Sequence, residues 1–435
     1  MEQTREIVLD GLLTFEKELS FSNKLINDIL DKYDYLEARD KAFIKRLFEG
    51  CVERRIELDY HIGSFSSLPV NKMKPLIRNL LRMGTYQILY MDNIPDRAAI
   101  NEAVSLAKKR GFSKLSGFVN AILRKVSSNK ENLSFPDSKK EPVRYLSVKY
   151  SVPEWICEKW MKEYGNEEAE KILESLLLIR PVSIRFKRDL SPERIDELVS
   201  KMQESGVSLE KDDRLSYVYR ATHIEGIKSL PGYEDGLFAV QDISSSLAIE
   251  ALEIKEGDTV YDACAAPGGK SILAAEIAGS TGRVISNDVS EDKVALIEEN
   301  ALRMKAGNIT ARVFDATDFD GDMEEKADCL ILDVPCSGLG ILGKKRDIKY
   351  NASPDGLKEL SDLQFKIVNA SYKYVKKGGK LLYSTCTINK NENEKQIERI
   401  CDKLPFKVVK GPVQLLPHRD NCDGFFYCVL ERTEG

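Results

Sequence analysis

From residue 241 to the end of the chain, short strand-like runs alternate with helical stretches. The runs are Thr259–Asp262, Arg283–Asn287, Ile309–Phe314, Cys329–Asp333, Lys380–Tyr383, Phe406–Val409 and Gly424–Leu430. Strands separated by helices join as parallel neighbours, because a parallel crossover needs the length that a helix supplies. The pattern predicts a doubly wound α/β domain with a mostly parallel sheet. No long helix separates the last two runs, which predicts an antiparallel end to the sheet.

Ligands of such sheets bind beyond the carboxyl ends of the strands. The stretch from Asp258 to Ser271 (DTVYDACAAPGGKS) reads as a strand end, a tight loop and a helix start. Two functions fit it. Gly269-Lys270-Ser271 could close a phosphate-binding loop, but Cys264 stands where that pattern needs its first glycine. Alternatively, Cys264, Ala265, Ala266, Pro267, Gly268, Gly269 and Lys270 form a small-residue cradle for S-adenosylmethionine. Asp262, Asp288, Asp315 and Asp333 each end a strand-like run. Asp288 follows Asp262 by 26 residues, near the ~20-residue interval at which a carboxylate meets a ribose diol. Asp315 would then lie by the adenine amino group. Under the phosphate-loop reading, Asp333 would instead serve as a metal-side carboxylate.

Two cysteines, Cys336 and Cys386, follow strand-like runs in turn-rich contexts (Asp333-Val-Pro-Cys-Ser-Gly338 and Ser384-Thr-Cys-Thr387). Folded, both should face the crevice of the glycine-rich loop. A thiol beside a methyl donor suits one reaction in particular. Carbon 5 of cytosine is a weak nucleophile until a thiolate adds at carbon 6.

The rest of the chain is organised differently. Residues 1–126 show helical periodicity throughout, with Pro75 and Gly111 at helix boundaries. Residues 127–142 are polar and proline-bearing, and read as a linker. Residues 143–240 mix helices (154–164 and 167–178) with short strands at 182–186, 216–220 and 236–240, predicting a small α+β module. Trp155 and Trp160 read as core. Residues 71–130 carry twelve Lys/Arg against three Asp/Glu within a chain of net charge −5. That local excess points to a polyanion. Arg78 and Arg82 share a helix face, and Lys108, Lys109, Arg110 and Lys114 cluster at a helix end. The nine cysteines include no C-x-x-C pair, and the three histidines lie apart from them. No metal site is expected. A charged N-terminus and the want of a long apolar run predict no membrane span and a cytoplasmic protein.

Residues 1–126 resemble the NusB-like RNA-binding domain, through Arg78, Leu81, Arg82, Gly84 and Ile88-Leu89-Tyr90, Ile100-Asn101-Glu102-Ala103-Val104, and Phe118 to Arg124. The loop 262–270 and both cysteine motifs resemble the two-cysteine RNA cytosine-5 methyltransferases. Gln241-Asp242, Ser244-Ser245 and Asn391-Glu392-Asn393-Glu394 add to that resemblance. With the N-terminal domain, the whole chain is similar to the 16S ribosomal RNA methyltransferase B (Sun/Fmu) family. The resemblance implies an enzyme of residues 241–435 that uses S-adenosylmethionine to methylate carbon 5 of a cytosine, cytosine 967 of 16S ribosomal RNA. It implies Cys386 as nucleophile, Cys336 in product release and Asp333 at the cytosine edge. It leaves Cys264 as a loop-packing residue. The substrate would be naked RNA or an early small-subunit particle, and the enzyme a monomer. Val334 and the proline-free run Lys344-Lys345-Arg346-Asp347 depart from the family pattern. The run keeps the family's positive charge, so Lys344, Lys345 and Arg346 are RNA-contact candidates.

Overall fold

The computed structural model describes residues 2–18, 22–224 and 226–434. The chain divides into two compact units, each built from two pieces of sequence. One is Met1–Leu177 with Leu342–Asn351; the other is Leu178–Ile341 with Ala352–Gly435.

Among its described residues the second unit holds eleven strands: β1 Val182–Phe186, β2 Ser208–Lys211, β3 Val218–Thr222, β4 Phe238–Val240, β5 Thr259–Asp262, β6 Arg283–Asp288, β7 Ile309–Val313, β8 Ala327–Asp333, β9 Val375–Thr385, β10 Phe406–Leu415 and β11 Phe425–Arg432. Seven form one sheet in the order β10-β11-β9-β8-β5-β6-β7. The five strands from β9 to β7 are parallel, and β11 and β10 close the sheet antiparallel. Alternation along β8 explains why it sits at the centre. Ile331 packs into the core on one face, while Leu330 and Leu332 pack into the core on the other. Both faces are covered, as a parallel sheet requires.

The other four strands form an antiparallel sheet, β2-β3-β1-β4. Ile184, Phe186, Tyr219 and Phe238 pack there against Ile195, Leu198 and Met202 of the helix Pro192–Glu204. Ser191 caps that helix, accepting from the Arg194 N–H. Arg185 of β1 is fully buried and bonds Glu276 at 2.7 Å, on the helix Gly269–Ala278. β2 escapes the sequence pattern because it is a charged, largely exposed edge strand.

The first unit is helical. Its long elements include Glu2–Glu18, Ala38–Glu53, Arg55–Ser64, Pro75–Tyr90, Asp96–Lys109 and Ser116–Asn129. Their apolar stripes make one core around Leu47, Leu80, Leu106 and Leu123. Three further helices, Pro142–Tyr150, Glu154–Tyr164 and Asn166–Ser175, belong to this unit. The division thus falls inside the expected 143–240 module. The hydroxyl of Ser151 accepts the Ile56 N–H at 2.9 Å, which ties these helices to Arg55–Ser64. Trp160 is fully buried among them and Trp155 is half-buried. The expected linker is partly helical, since Ser116–Asn129 and a single turn, Lys130–Asn132, fill its first residues. Among the described residues no helix is long and apolar enough to cross a membrane.

Candidate active site

β5 lies between β6 and β8, so the chain reverses its direction of winding there. The loops after β5 and β8 leave to opposite sides and open a crevice between them. Register aligns the strand ends: Asp262 faces Ile331 across β5–β8, and Asp333 faces Ser384 across β8–β9.

The β5 loop is built for close approach. Gly268 has φ +101°, a left-handed value that disfavours a side chain. The helix Gly269–Ala278 starts immediately after it. Asp288, at the end of β6, accepts the Ala266 N–H at 3.0 Å, the Val289 N–H at 2.8 Å and Lys293 Nζ at 2.9 Å. It holds the loop and keeps some acceptor capacity for a hydroxyl. Asp315 is exposed just beyond β7, and the Thr317 N–H holds its carboxyl below the usual range. Asp262 is fully buried; Ser271 Oγ donates to its Oδ2 at 2.6 Å. Burial, with a smaller push from Asp333, raises its carboxyl to about 7. Its Oδ1 has no hydrogen-bond partner among the described residues. A buried acceptor left open beside a cradle of small residues fits a ligand bearing a positive group and a diol, as S-adenosylmethionine does.

Lys270 points from the first turn of that helix to Asp333, with Nζ to Oδ2 at 2.6 Å. Ser384 Oγ donates to Oδ1 of the same carboxylate at 2.8 Å. Burial opposes the Lys270 charge, yet Asp333, Asp262 and Cys386 together hold its ammonium above the ordinary lysine value. Lys270 Nζ also lies 5.3 Å from the centre of the Phe425 ring. A lysine committed to the β8 carboxylate is not reaching for a nucleotide phosphate. The phosphate-loop reading loses its central interaction.

The two motif thiols meet: Cys336 Sγ and Cys386 Sγ are 3.3 Å apart, and both side chains are half-buried. The Cys386 hydrogen bond and burial push the Cys336 thiol well up. Cys264 is different, for burial and the carboxylates of Asp262, Asp288 and Asp333 all raise its thiol. At Gly340 the Cys336 loop meets the Cys386 loop, and there it also packs on Gly424, in the turn before β11. A Cβ on Gly340 would lie 1.9 Å from the Gly424 carbonyl oxygen, so neither position has room for a side chain. Gly340 N–H donates to the Cys386 carbonyl at 3.1 Å, and Gly424 N–H to the Gly340 carbonyl at 3.0 Å. Sequence reasoning quoted Ser337, Thr387 and Glu392 within motifs but gave them no role, and it passed over Gln364. The Asn/Glu-rich run 391–394 was visible, but its partners come from other elements.

The basic candidates divide. Arg82 is buried, with its guanidinium forked onto Asp59 at 2.7 Å and paired with Glu16. Arg78 also bonds Glu16, at 2.9 Å. Lys109 pairs with Glu6, and Arg110 with Glu6 and Asp10. Arg346 pairs with Glu49 and Glu53. Lys108, Lys114, Lys344 and Lys345 are exposed. Among the described residues no three His, Cys, Asp or Glu side chains form a metal-holding group.

A switch-point cradle of this kind, on a sheet with an antiparallel end, defines a S-adenosylmethionine-dependent methyltransferase. Comparison narrows the class. Residues 249–431 match the 16S rRNA methyltransferase RsmB/F family, and residues 2–128 match the NusB family. A probable ribosomal RNA small subunit methyltransferase B from Bacillus subtilis (strain 168) is 36% identical, with 98% of each chain covered. One from Synechocystis sp. is 30% identical over 100% of both chains. The crystal structure of PH0851 is 25% identical and covers 99% of each chain with a TM-score of 0.82. NSun6 from Pyrococcus horikoshii with SFG shares the fold at 20% identity and a TM-score of 0.58, over 65% of this chain and 99% of its own. The chain belongs to the ribosomal RNA small subunit methyltransferase B family. It is a S-adenosylmethionine-dependent ribosomal RNA methyltransferase with a NusB helical domain at its N-terminus.

Proposed function

We propose that the enzyme methylates carbon 5 of a cytosine in 16S ribosomal RNA, cytosine 967 by family resemblance, through a covalent cysteine adduct. The observation that carries this reading is the thiol pair 3.3 Å apart at the ends of adjacent parallel strands, beside the Lys270–Asp333 pair. Cys386, as thiolate, adds to carbon 6, and the ring's electron density moves toward carbon 5. Asp333, held by Lys270 and Ser384, hydrogen-bonds the cytosine edge. S-adenosylmethionine, when bound between residues 264–270, Asp288 and Asp315, supplies the methyl group. Cys336 accepts the carbon 5 proton, directly or through a water. The electrons of that C–H bond then re-form the ring double bond, and Cys386 leaves carbon 6 as thiolate. The target base must be unstacked to reach a strand-end crevice. Lys108, Lys114, Lys344 and Lys345 hold the surrounding RNA through its phosphates. The enzyme acts as a cytoplasmic monomer on naked RNA or an early small-subunit particle.

The test is incubation of wild type, Cys336→Ala and Cys386→Ala with small-subunit RNA and S-adenosylmethionine, followed by denaturing gels. Cys336→Ala is expected to trap an RNA adduct, and Cys386→Ala to form none. Adduct trapped by Cys386→Ala instead would reverse the two thiol roles. No adduct and no methylation in any sample would sink the covalent reading.

A further inference from the structure

The two cysteine loops are joined by a buried carboxylate that the reaction scheme does not use. Glu392 is fully buried, six residues past Cys386. Its Oε1 accepts from the Ser337 hydroxyl at 2.5 Å and the Asn389 side-chain amide at 2.7 Å. Its Oε2 accepts from the Ser337 backbone N–H at 2.8 Å and the Gln364 side-chain amide at 2.9 Å. All four partners donate. Only the ionised, acceptor-only carboxylate satisfies them together.

The bonds also run in one direction. Ser337 Oγ lies 2.8 Å from Thr387 Oγ1, which accepts the Asn389 N–H at 3.3 Å. Ser337 gives its one hydroxyl proton to Glu392, so Thr387 donates to Ser337. Ser337 directly follows Cys336, and Thr387 directly follows Cys386. The residue after each thiol is therefore clamped to the other, with Glu392 as the terminal acceptor. The Ser337 N–H bond to Glu392 fixes the peptide plane on which Cys336 is carried. The Gln364 amide adds a bond to the Pro335 carbonyl at 2.9 Å, on the other side of that cysteine.

We propose that Glu392 is the positioning residue of the thiol pair, holding Cys336 within reach of Cys386 and so setting the rate of product release. The catalytic consequence rests on the two-thiol reading above; the geometric one does not. A buried carboxylate serving only to fill the core would leave thiol proximity unchanged.

Two readouts separate these roles. In the first, the full-length enzyme without RNA is treated with one equivalent of diamide. Two thiols lose two protons and two electrons to the azo bond, giving one disulfide and the hydrazine. Peptide mapping by mass spectrometry follows the Cys336–Cys386 cross-link. Glu392→Gln turns an amide N–H toward a donor pair, and is expected to slow the cross-link about tenfold or more. Its S-adenosylmethionine affinity should stay within about twofold, since no bond of Glu392 reaches the β5 loop. In the second readout, the ratio of trapped RNA adduct to methyl turnover should rise about tenfold, toward the behaviour expected of Cys336→Ala. A cross-linking rate and an adduct ratio like wild type would overturn the proposal. Should Glu392→Gln fail to fold, Ser337→Ala and Thr387→Val are read the same way. Each removes one hydroxyl, and wild-type rates in both would equally overturn the clamp. If neither Cys336→Ala nor Cys386→Ala traps an adduct and no sample is methylated, the covalent mechanism fails, and the cross-linking rate alone decides the role of Glu392.

Discussion

Each unit buries a charged cluster, and the two clusters are finished differently. In the helical unit, Arg82 is forked between Asp59 and Glu16, while Arg78 and Asn79 complete Glu16. Every strong bond there is answered inside the fold. In the catalytic unit, the Glu392 cluster is equally complete, but in the same unit Asp262 Oδ1 is buried and unanswered, and two thiols remain half-buried. Burial of charge is common to both. What sets the strand-end site apart is an unanswered acceptor together with two half-buried thiols at one edge of the sheet.

The largest effect should come from the open side. Cys386→Ala should abolish methyl transfer with S-adenosylmethionine binding retained; residual transfer in a radiolabel assay would remove Cys386 from the nucleophile's role. Next comes the closed side. Arg82→Ala strands Asp59 and takes one partner from Glu16, and should cost about 3–5 kcal/mol of stability by denaturant unfolding. A loss under ~1 kcal/mol would mean the cluster is no more than a surface pair, reopening Arg82 to RNA. Gly340→Ala tests the contact between the cysteine loops. Overpacking of ~1–3 kcal/mol is expected, with methyl transfer falling further than the stability loss explains.

The open carboxylate should also read out as pH dependence. Asp262, raised to about 7 by burial, is mostly protonated below that value and ionised above it. Binding of the cationic cofactor should tighten about tenfold from about pH 6 to about pH 8, and Asp262→Asn should flatten the curve. A tightening on acidification would contradict the assignment. The smallest effect is expected from Lys108→Glu with Lys114→Glu. RNA affinity should fall modestly, and the salt slope by ~1 for each phosphate no longer neutralised. An unchanged slope would place the RNA on another face.

Much of this was legible in the sequence where the signal is local. β1 and β5 run over the residues that alternation and turn chemistry predict, and the antiparallel end follows from the missing helix. That both thiols face one crevice was expected from their places at strand ends, because parallel neighbours bring their carboxyl ends to one edge. Distance in sequence hid the rest. Arg82 looked like a surface cation, because its partners lie 66 and 23 residues away. The three helices after Pro142 looked like part of a middle module, because the bond that holds them, Ile56 to Ser151, spans 95 residues. Glu392 stood in a plainly polar run, yet its donors on Ser337 and Gln364 are 55 and 28 residues off. Helix faces and strand ends are read along the chain; a saturated carboxylate is read only across it.

The segment Leu342–Asn351, counted with the helical unit, also bears on the order in which the protein can be made. Lys349 Nζ donates to the Glu53 carbonyl at 2.7 Å, and the Tyr350 hydroxyl to the Val52 carbonyl at 2.8 Å. Arg346 answers the carboxylates of Glu49 and Glu53. These carbonyls and carboxylates are synthesised early, and their partners emerge from the ribosome some three hundred residues later. Until then the end of the helix Ala38–Glu53 waits in water. The helical unit is therefore begun first but completed only after β8 and the Cys336 motif exist. A nascent chain interrupted before that point holds every long helix of the unit and still lacks the peptide that closes it.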